Sequence, residues 1–419
     1  MSKKRKDIVS SSVPEAFIKK MEALLGSDET SSLVSSLNDA PSVSIRINRA
    51  KVKDPDKFVT RFEEFGVSKV PWCKSGYYLD HRADFIHDPL LHAGTYYVQE
   101  AASMIYETII EGLPEVKAGS PLKVLDLCGA PGGKSTAILN ALQGPHILVA
   151  NELEPSRSKI LKENLEKWGD PAVIVTNSPA AKFRSLKGIF DIVAVDAPCS
   201  GEGMMRREPI ARTQWSENLV EQCSKLQKDI LSDAYEALKP GGVLIYSTCT
   251  FNKDENEENI KWLLESFSLE PQGEPQHFYP HKQRCEGLFV AGFRKSEEPD
   301  DDPGINSNIL SFQRFAERLK KAGIKIIGTG IEKNITKGAL TLPSSKMCLA
   351  SDFDRTVYPS IELSKEEALD YIRRKPLMLP EDFPTGFIVV LHEGYPLGLV
   401  KNIGKRANNL FPSEWRVIS

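Results

Sequence analysis

Between residues 122 and 295 short apolar runs alternate with amphipathic stretches, a rhythm that predicts a parallel sheet clad by helices. KVLDL (123–127), HILVAN (146–151), AVIVT (172–176), IFDIVAVD (189–196) and VLIYSTC (243–249) are rich in β-branched residues and poor in polar ones. Strands buried on both faces read this way. Between them, residues 134–142, 156–168 and 216–242 have helical character, the last ending on a glycine pair. A further helix over 255–266 leads to shorter strands, the last being GLFVAGFRK (287–295). The fold class is therefore α/β, with a doubly wound core.

The flanks differ from the core. SVSIRIN (42–48) alternates like a strand with one exposed face, and residues 14–25 and 57–65 look helical, so 1–88 is expected to be a small α+β domain before a core at 89–295. SEEPDDDPG (296–304) is acidic, holds Pro and Gly, and cannot build a core; it reads as a linker. Beyond it, 305–419 forms an accessory region. There, residues 309–322 make a basic amphipathic helix and FIVVLHEGYPLGLVK (387–401) makes two strands around an EGYPLG turn, suited to a compact, partly barrel-like β module.

Composition narrows the class. The 419 residues are 41% hydrophobic and 26% charged, ordinary for a globular protein, and no run approaches the ~18 apolar residues of a membrane span. The first residues, MSKKRKDIVSSS, are basic but lead into no apolar segment, so no signal peptide is expected. Seven cysteines, odd in number and scattered with no CxxC pair, make neither a disulfide framework nor a zinc site; no metal is expected, and a reducing, cytoplasmic compartment fits best. The net charge of −3 does not advertise a nucleic-acid partner, yet charge is unevenly spread. Residues 251–310 hold 13 acidic and 6 basic side chains, whereas 314–346 hold 8 basic and 2 acidic. Such a map permits RNA binding without demanding it.

LDLCGAPGGKS (125–135) joins the first core strand to its helix. Gly129, Gly132 and Gly133 let backbone approach a ligand, Pro131 stiffens the turn, and the helix start offers free N–H groups. A Walker phosphate loop needs glycine where Cys128 stands, and no G-x-G-x-x-G is present. The second strand ends in Asn151-Glu152, whose carboxylate can accept both hydroxyls of an adenosine ribose. The combination indicates a nucleoside-containing ligand.

VDAPCSGEGMMRREP (195–209) follows the fourth strand and YSTCTFNKDENEEN (246–259) the fifth, so Cys199 and Cys249 project from adjacent strand ends beside that loop. A lone cysteine there is usually a small buried apolar residue; two at equivalent places suggest chemistry. Carbon 5 of cytosine is too weak a nucleophile to attack a methyl sulfonium. A thiolate adding at carbon 6 makes an enamine whose carbon 5 can take the methyl, and a second acid/base group then assists elimination. Asp196 can hydrogen-bond the cytosine edge, and Lys134 can lower the thiolate's pKa. On these grounds Cys199 and Cys249 are equal candidates for the nucleophile.

Through CGAPGGK (128–134), DAPCSGEG (196–203), STCTFNKDENE (247–257), HAGTYYVQEAASM (92–104) and SIRIN (44–48), the chain resembles the Nop/Sun-type RNA cytosine-C5 methyltransferases. The resemblance implies a Rossmann-like class I methyltransferase core with a seven-stranded, mostly parallel sheet. It also implies Cys249 as the nucleophile and Cys199 as the partner in product release. The cofactor it implies is S-adenosylmethionine, held by Cys128, Gly129, Ala130, Pro131, Gly132, Gly133, Lys134, Glu152, Arg157, Asn177 and Asp196. Position 177 commonly carries aspartate in that family; here it is asparagine. GYPLGLVKNIGKRANNLFPSEWRV (394–417) is similar to the ending of the family's bacterial 16S ribosomal-RNA branch, which carries a PUA-like RNA-binding module. The implied partner is 16S rRNA or the 30S subunit, with the protein acting as a monomer and away from membranes. Competing readings are a transfer-RNA methyltransferase, a P-loop-like NTPase using GGKS, and a ribosome-assembly factor that binds RNA without turnover.

Overall fold

The computed structural model describes residues 12–296, 311–337, 340–404 and 406–418. The basic amino-terminal tip and nearly all of the expected linker lie outside the described residues. Near the amino end, helices Glu15–Leu25 and Ser27–Ser36 meet at Gly26. Strands β1 (Val43–Ile47), β2 (Val67–Lys69), β3 (Gly76–Leu79) and β4 (Tyr96–Val98) then form an antiparallel sheet ordered β2-β3-β1-β4.

The core sheet has five parallel strands: β5 (Leu122–Asp126), β6 (His146–Asn151), β7 (Val173–Thr176), β8 (Phe190–Asp196) and β9 (Leu238–Thr248). Strand β5 lies between β8 and β6, so the chain reverses its winding there. A ligand crevice opens outside strand carboxyl ends at such a point. Alternate residues serve opposite faces: Val124, Leu148, Ile192 and Val243 join one apolar cluster, while Leu125, Val149, Val193 and Leu244 join the other. Each such side chain, fully buried, contributes roughly 1.5–3 kcal/mol.

Among the described residues nine strands stand where seven are expected. Strands β10 (Leu269–Pro271), β11 (Gln276–Phe278) and β12 (Leu288–Lys295) extend one edge, and β13 (Ile326–Thr329) pairs antiparallel with β7 at the other. Strand β13 comes from beyond the expected linker, so the core sheet does not end at residue 295. The basic helix Phe312–Lys321 ahead of it sets Phe315 edge-on to Phe190, with centroids 6.0 Å apart, so its apolar face is core. The helix expected over 216–242 runs only over Glu217–Ala237, and Leu238 already belongs to β9. Pro240 has no N–H and keeps Lys239 extended, which stops the helix before the glycines do.

The carboxy-terminal part holds the hairpin β14 (Asn334–Lys337) and β15 (Leu340–Pro343), then β16 (Ser360–Glu362), β17 (Gly386–His392), β18 (Tyr395–Asn402) and β19 (Ala407–Asn409) in one sheet. The turn between β17 and β18 is Glu393-Gly394, both at positive φ, as a tight hairpin requires. This sheet and the amino-terminal one share a single apolar cluster: Ile45, Phe62 and Tyr96 pack with Tyr371, Val390 and Phe411. Both modules also grip the helix Pro155–Trp168, through two glycines. A Cβ on Gly94 would stand 1.8 Å from the Lys167 carbonyl oxygen, and one on Gly169 2.0 Å from that of Leu349. Among the described residues no helix is long and apolar enough to cross a membrane.

Candidate active site

The loop after β5 is held from several sides. Gly129 N donates to Asn151 O at 2.7 Å, Asn164 Nδ2 to Pro131 O at 2.8 Å, and Arg157 Nη2 to Ala130 O at 2.8 Å. Gly132, at φ 115°, turns the chain into the helix Gly133–Ala141, a conformation that favours glycine. Underneath lies Asp126, fully buried. Its Oδ2 accepts from Ser135 Oγ at 2.5 Å, while its Oδ1 has no hydrogen-bond partner. Burial above all pushes the Asp126 carboxyl up to about 7. Burial also raises the Cys128 thiol well above the ordinary range, and Asp126 and Asp196 add to it.

Glu152 sits at the end of β6 with 6% exposure, accepting from Glu154 N at 3.0 Å, and Arg157 Nη1 stands 3.6 Å from its Oε2. Beside it Leu153 is 64% exposed, an apolar side chain left in solvent next to a buried carboxylate. Asn177 Nδ2 donates to the carbonyls of Glu152 and Leu153, both at 2.9 Å, and its Oδ1 faces Lys325 Nζ at 3.4 Å. An aspartate could not donate to those carbonyls. Asn177 thus pins the Glu152-Leu153 turn, and only its oxygen remains to meet a ligand.

These residues fit S-adenosylmethionine. The orphaned Asp126 oxygen suits an ammonium, Glu152 a ribose diol, and Leu153 a purine face. They do not fit a nucleoside triphosphate, because Asp126, Glu152 and Asp196 would repel its phosphates. Lys134, the one lysine of the loop, is already engaged: its Nζ lies 2.8 Å from Asp196 Oδ2. Among the described residues no group of three or more His, Cys, Asp or Glu side chains is placed to hold a metal ion.

Asp196 ends β8, and its second oxygen accepts from Ser247 Oγ at 2.7 Å. Ser247 Oγ lies 2.9 Å from Tyr106 Oη, a fully buried hydroxyl. Tyr106, Ser247 and Lys134 thus fix the carboxylate's direction from three elements. Just beyond the neighbouring strands the two cysteine loops meet, Cys199 three residues after β8 and Cys249 one after β9. Cys199 Sγ lies 2.9 Å from Cys249 Sγ and accepts from Cys249 N at 3.3 Å. The structure therefore brings together Lys134, Asp196, Cys199 and Cys249, and ranges Glu152, Arg157 and Asn177 around the far end of the cofactor loop.

Sequence reasoning missed Asp126, Tyr106, Ser247, Glu202 and Glu255. The last two bind the cysteine loops to each other. Glu202 Oε2 accepts from the backbone nitrogens of Phe251 and Asn252 at 2.7 and 3.0 Å, and Glu255 Oε2 from that of Ser200 at 3.0 Å. Both carboxylates are fully buried. For Asp126 a signal existed: a charged residue inside the apolar run VLDLC. Glu255 lies in DENEEN, where composition cannot separate a buried glutamate from its solvated neighbours.

Comparison with known proteins covers most of the chain. Residues 119–294 match the family described as 16S rRNA methyltransferase RsmB/F. Residues 13–101 match the N-terminal domain of 16S rRNA methyltransferase RsmF, and residues 358–417 the methyltransferase RsmF PUA domain. A ribosomal RNA small subunit methyltransferase F from Vibrio parahaemolyticus is 30% identical over 96% of this chain and 97% of its own. A protein of the same name from Enterobacter sp. is 31% identical over 88% and 89%. Among solved structures, a methyltransferase homolog protein from Pyrococcus horikoshii superimposes with a TM-score of 0.59 at 26% identity, covering 70% of this chain and all of that one.

Proposed function

Because the chain belongs to the ribosomal RNA small subunit methyltransferase F family, we propose that it methylates carbon 5 of a cytosine in 16S rRNA through a covalent adduct. It is an S-adenosylmethionine-dependent methyltransferase with an RNA-binding PUA domain. One observation supports the finer reading: two thiols 2.9 Å apart, on adjacent strand ends, beside the Lys134–Asp196 pair. Methyltransferases acting on nitrogen or oxygen have no use for a thiol there. An unreactive carbon does.

Cys128–Lys134, Glu152, Arg157, Asn177 and Asp196 are assigned to the cofactor, and Asp126 is added to them. When bound, the cofactor supplies an electrophilic methyl group to the activated carbon 5. The target cytosine leaves its stack, at a cost of about a few kcal/mol, to reach the cysteine loops. Cys249, as its thiolate, adds its sulfur to carbon 6, and the ring's double-bond electrons shift toward carbon 5. Asp196, held by Lys134 and Ser247, accepts from the N4 amine and fixes the ring as charge develops. After methylation the carbon-5 proton passes to water, the 5,6 double bond re-forms, and the S–C6 bond breaks. Cys199 donates its S–H to the departing Cys249 sulfur, which assists release.

The test is bisulfite sequencing of 16S rRNA incubated with the purified protein and S-adenosylmethionine, as free RNA and as 30S subunits. A new non-converted cytosine that depends on the protein is expected. Methylation confined to transfer RNA, or on a ring nitrogen, would overturn the assignment.

A further inference from the structure

Resemblance alone ranks the two cysteines, but their surroundings differ in charge. Lys134 faces Cys249. Burial works against its ammonium, yet Asp196, and after it Cys249 and Glu100, hold it above the ordinary lysine range. Cys199 stands one residue before a backbone nitrogen held by Glu255 and feels its charge. That carboxylate accepts from Ser200 N, one residue past Cys199, at 3.0 Å, from Gln227 Nε2 at 2.7 Å and from Asn252 Nδ2 at 2.8 Å. Three donors hold its oxygens and, among the described residues, no ion pair reaches it, so the charge of its ionised form stands unneutralised in the wall behind Cys199.

Resting on the adduct reading above, we infer that Glu255 is a positioning residue that decides which thiol carries the proton. Its carboxylate, fastened to the Cys199 loop, keeps Cys199 protonated and leaves the thiolate to Cys249, which faces Lys134. Glu202 completes the arrangement from the other side. It belongs to the Cys199 loop yet binds the backbone after Cys249, so each loop is anchored by the other's glutamate and the sulfurs cannot drift apart independently. Asn252 Nδ2 bridges the two carboxylates, at 3.0 Å from Glu202 Oε1 and 2.8 Å from Glu255 Oε1.

The electrostatic balance agrees. The Cys199 thiol is pushed well above the ordinary range, first by its hydrogen bond to Cys249, then by burial, by charge on Cys249 and by Glu255. The other titratable groups around Glu255 are Glu202, Cys223 on the helix Glu217–Ala237 and Tyr246 on β9. Burial raises the Glu255 carboxyl most and Glu202 adds to it; burial likewise raises the Cys223 thiol and the Tyr246 hydroxyl, with Glu255 adding to both. No cation is among them.

Thiol alkylation tests this without RNA. Full-length protein is treated with iodoacetamide between pH 6 and 10, and each cysteine is followed by peptide mass spectrometry. In the wild type Cys249 is expected to alkylate at lower pH than Cys199. Glu255→Gln should speed Cys199 alkylation about tenfold at a given pH below its midpoint, equivalent to one pH unit. Glu255→Asp, which keeps the charge, should restore the wild-type order, with calorimetric S-adenosylmethionine binding reporting the fold. The inference is overturned if Cys199 alkylates first in the wild type, if Glu255→Gln accelerates both thiols equally, or if Glu255→Asp behaves like Glu255→Gln. A protein that passes this test but makes no 5-methylcytosine would instead overturn the proposed reaction.

Discussion

Arg46 Nη2 lies 2.5 Å from Thr136 Oγ1, so a fully buried guanidinium of the amino-terminal sheet is seated against the helix that carries the cofactor loop. Its Nε donates to Gln99 Oε1 at 2.7 Å, its plane covers Trp168 at 4.6 Å, and Glu107 stands 3.9 Å away, also buried. The amino-terminal sheet thus reaches beneath the cofactor loop.

Removing Arg46 should therefore affect more than the sheet it belongs to. Arg46→Ala leaves Glu107 without a fully buried cation and opens a space under Thr136. A loss of about 3–5 kcal/mol in unfolding free energy is expected, read by urea denaturation. An unchanged midpoint would mean that the cation contributes nothing.

The cysteine pair predicts two opposite single-mutant outcomes. Cys199→Ala removes the group that helps Cys249 leave, so an RNA–protein adduct resistant to denaturing electrophoresis should accumulate. Cys249→Ala removes the nucleophile, and no adduct should form. If the adduct needs Cys199 and survives loss of Cys249, the roles are reversed.

Asp126 predicts a pH-dependent affinity. Its folded carboxyl, near 7, holds a proton that an ordinary carboxyl near 4 in the unfolded chain has released. Its contribution to stability is thus present in acid and is lost as pH climbs from about 4 to 7. An ammonium beside Oδ1 favours the ionised form, so S-adenosylmethionine should bind more tightly as pH rises toward 7, by up to about tenfold per unit, and level off above. Asp126→Asn should flatten that profile in calorimetry between pH 5.5 and 8.

Gly169 predicts a packing failure. At φ 92° and 2.0 Å from Leu349 O for an added Cβ, Gly169→Ala must both strain the backbone and push the carboxy-terminal part away. The conformational part alone costs about 1–2 kcal/mol. A lower melting temperature is expected, together with faster proteolysis beyond residue 349.

Much of the core was legible because its strands are buried on both faces and so nearly uniform in composition: β5, β6, β7 and β8 begin and end within one residue of their apolar runs. The strands added at the edges were harder to place. β13 is IIGT, too short and too like a loop to advertise that it pairs with β7 across a gap of some 150 residues. In the site, the residues read from sequence sit on glycine loops or end apolar runs, where chemistry interrupts a pattern. Ser247 and Tyr106 were hidden for the opposite reason: a serine in a strand and a tyrosine in an apolar helix look like core, and only the fold brings their hydroxyls to Asp196.

The apolar cluster shared by the first and last sheets has a consequence for biosynthesis. Tyr96 and Phe411 belong to one apolar cluster in the finished protein but leave the ribosome more than three hundred residues apart. At 5–20 residues per second, the amino-terminal sheet waits roughly 15–60 s for the chain that covers it. Throughout that interval its greasy side is available to chaperones and to other nascent chains. A polypeptide interrupted before its last strands would carry an intact pair of thiols and an uncovered apolar face.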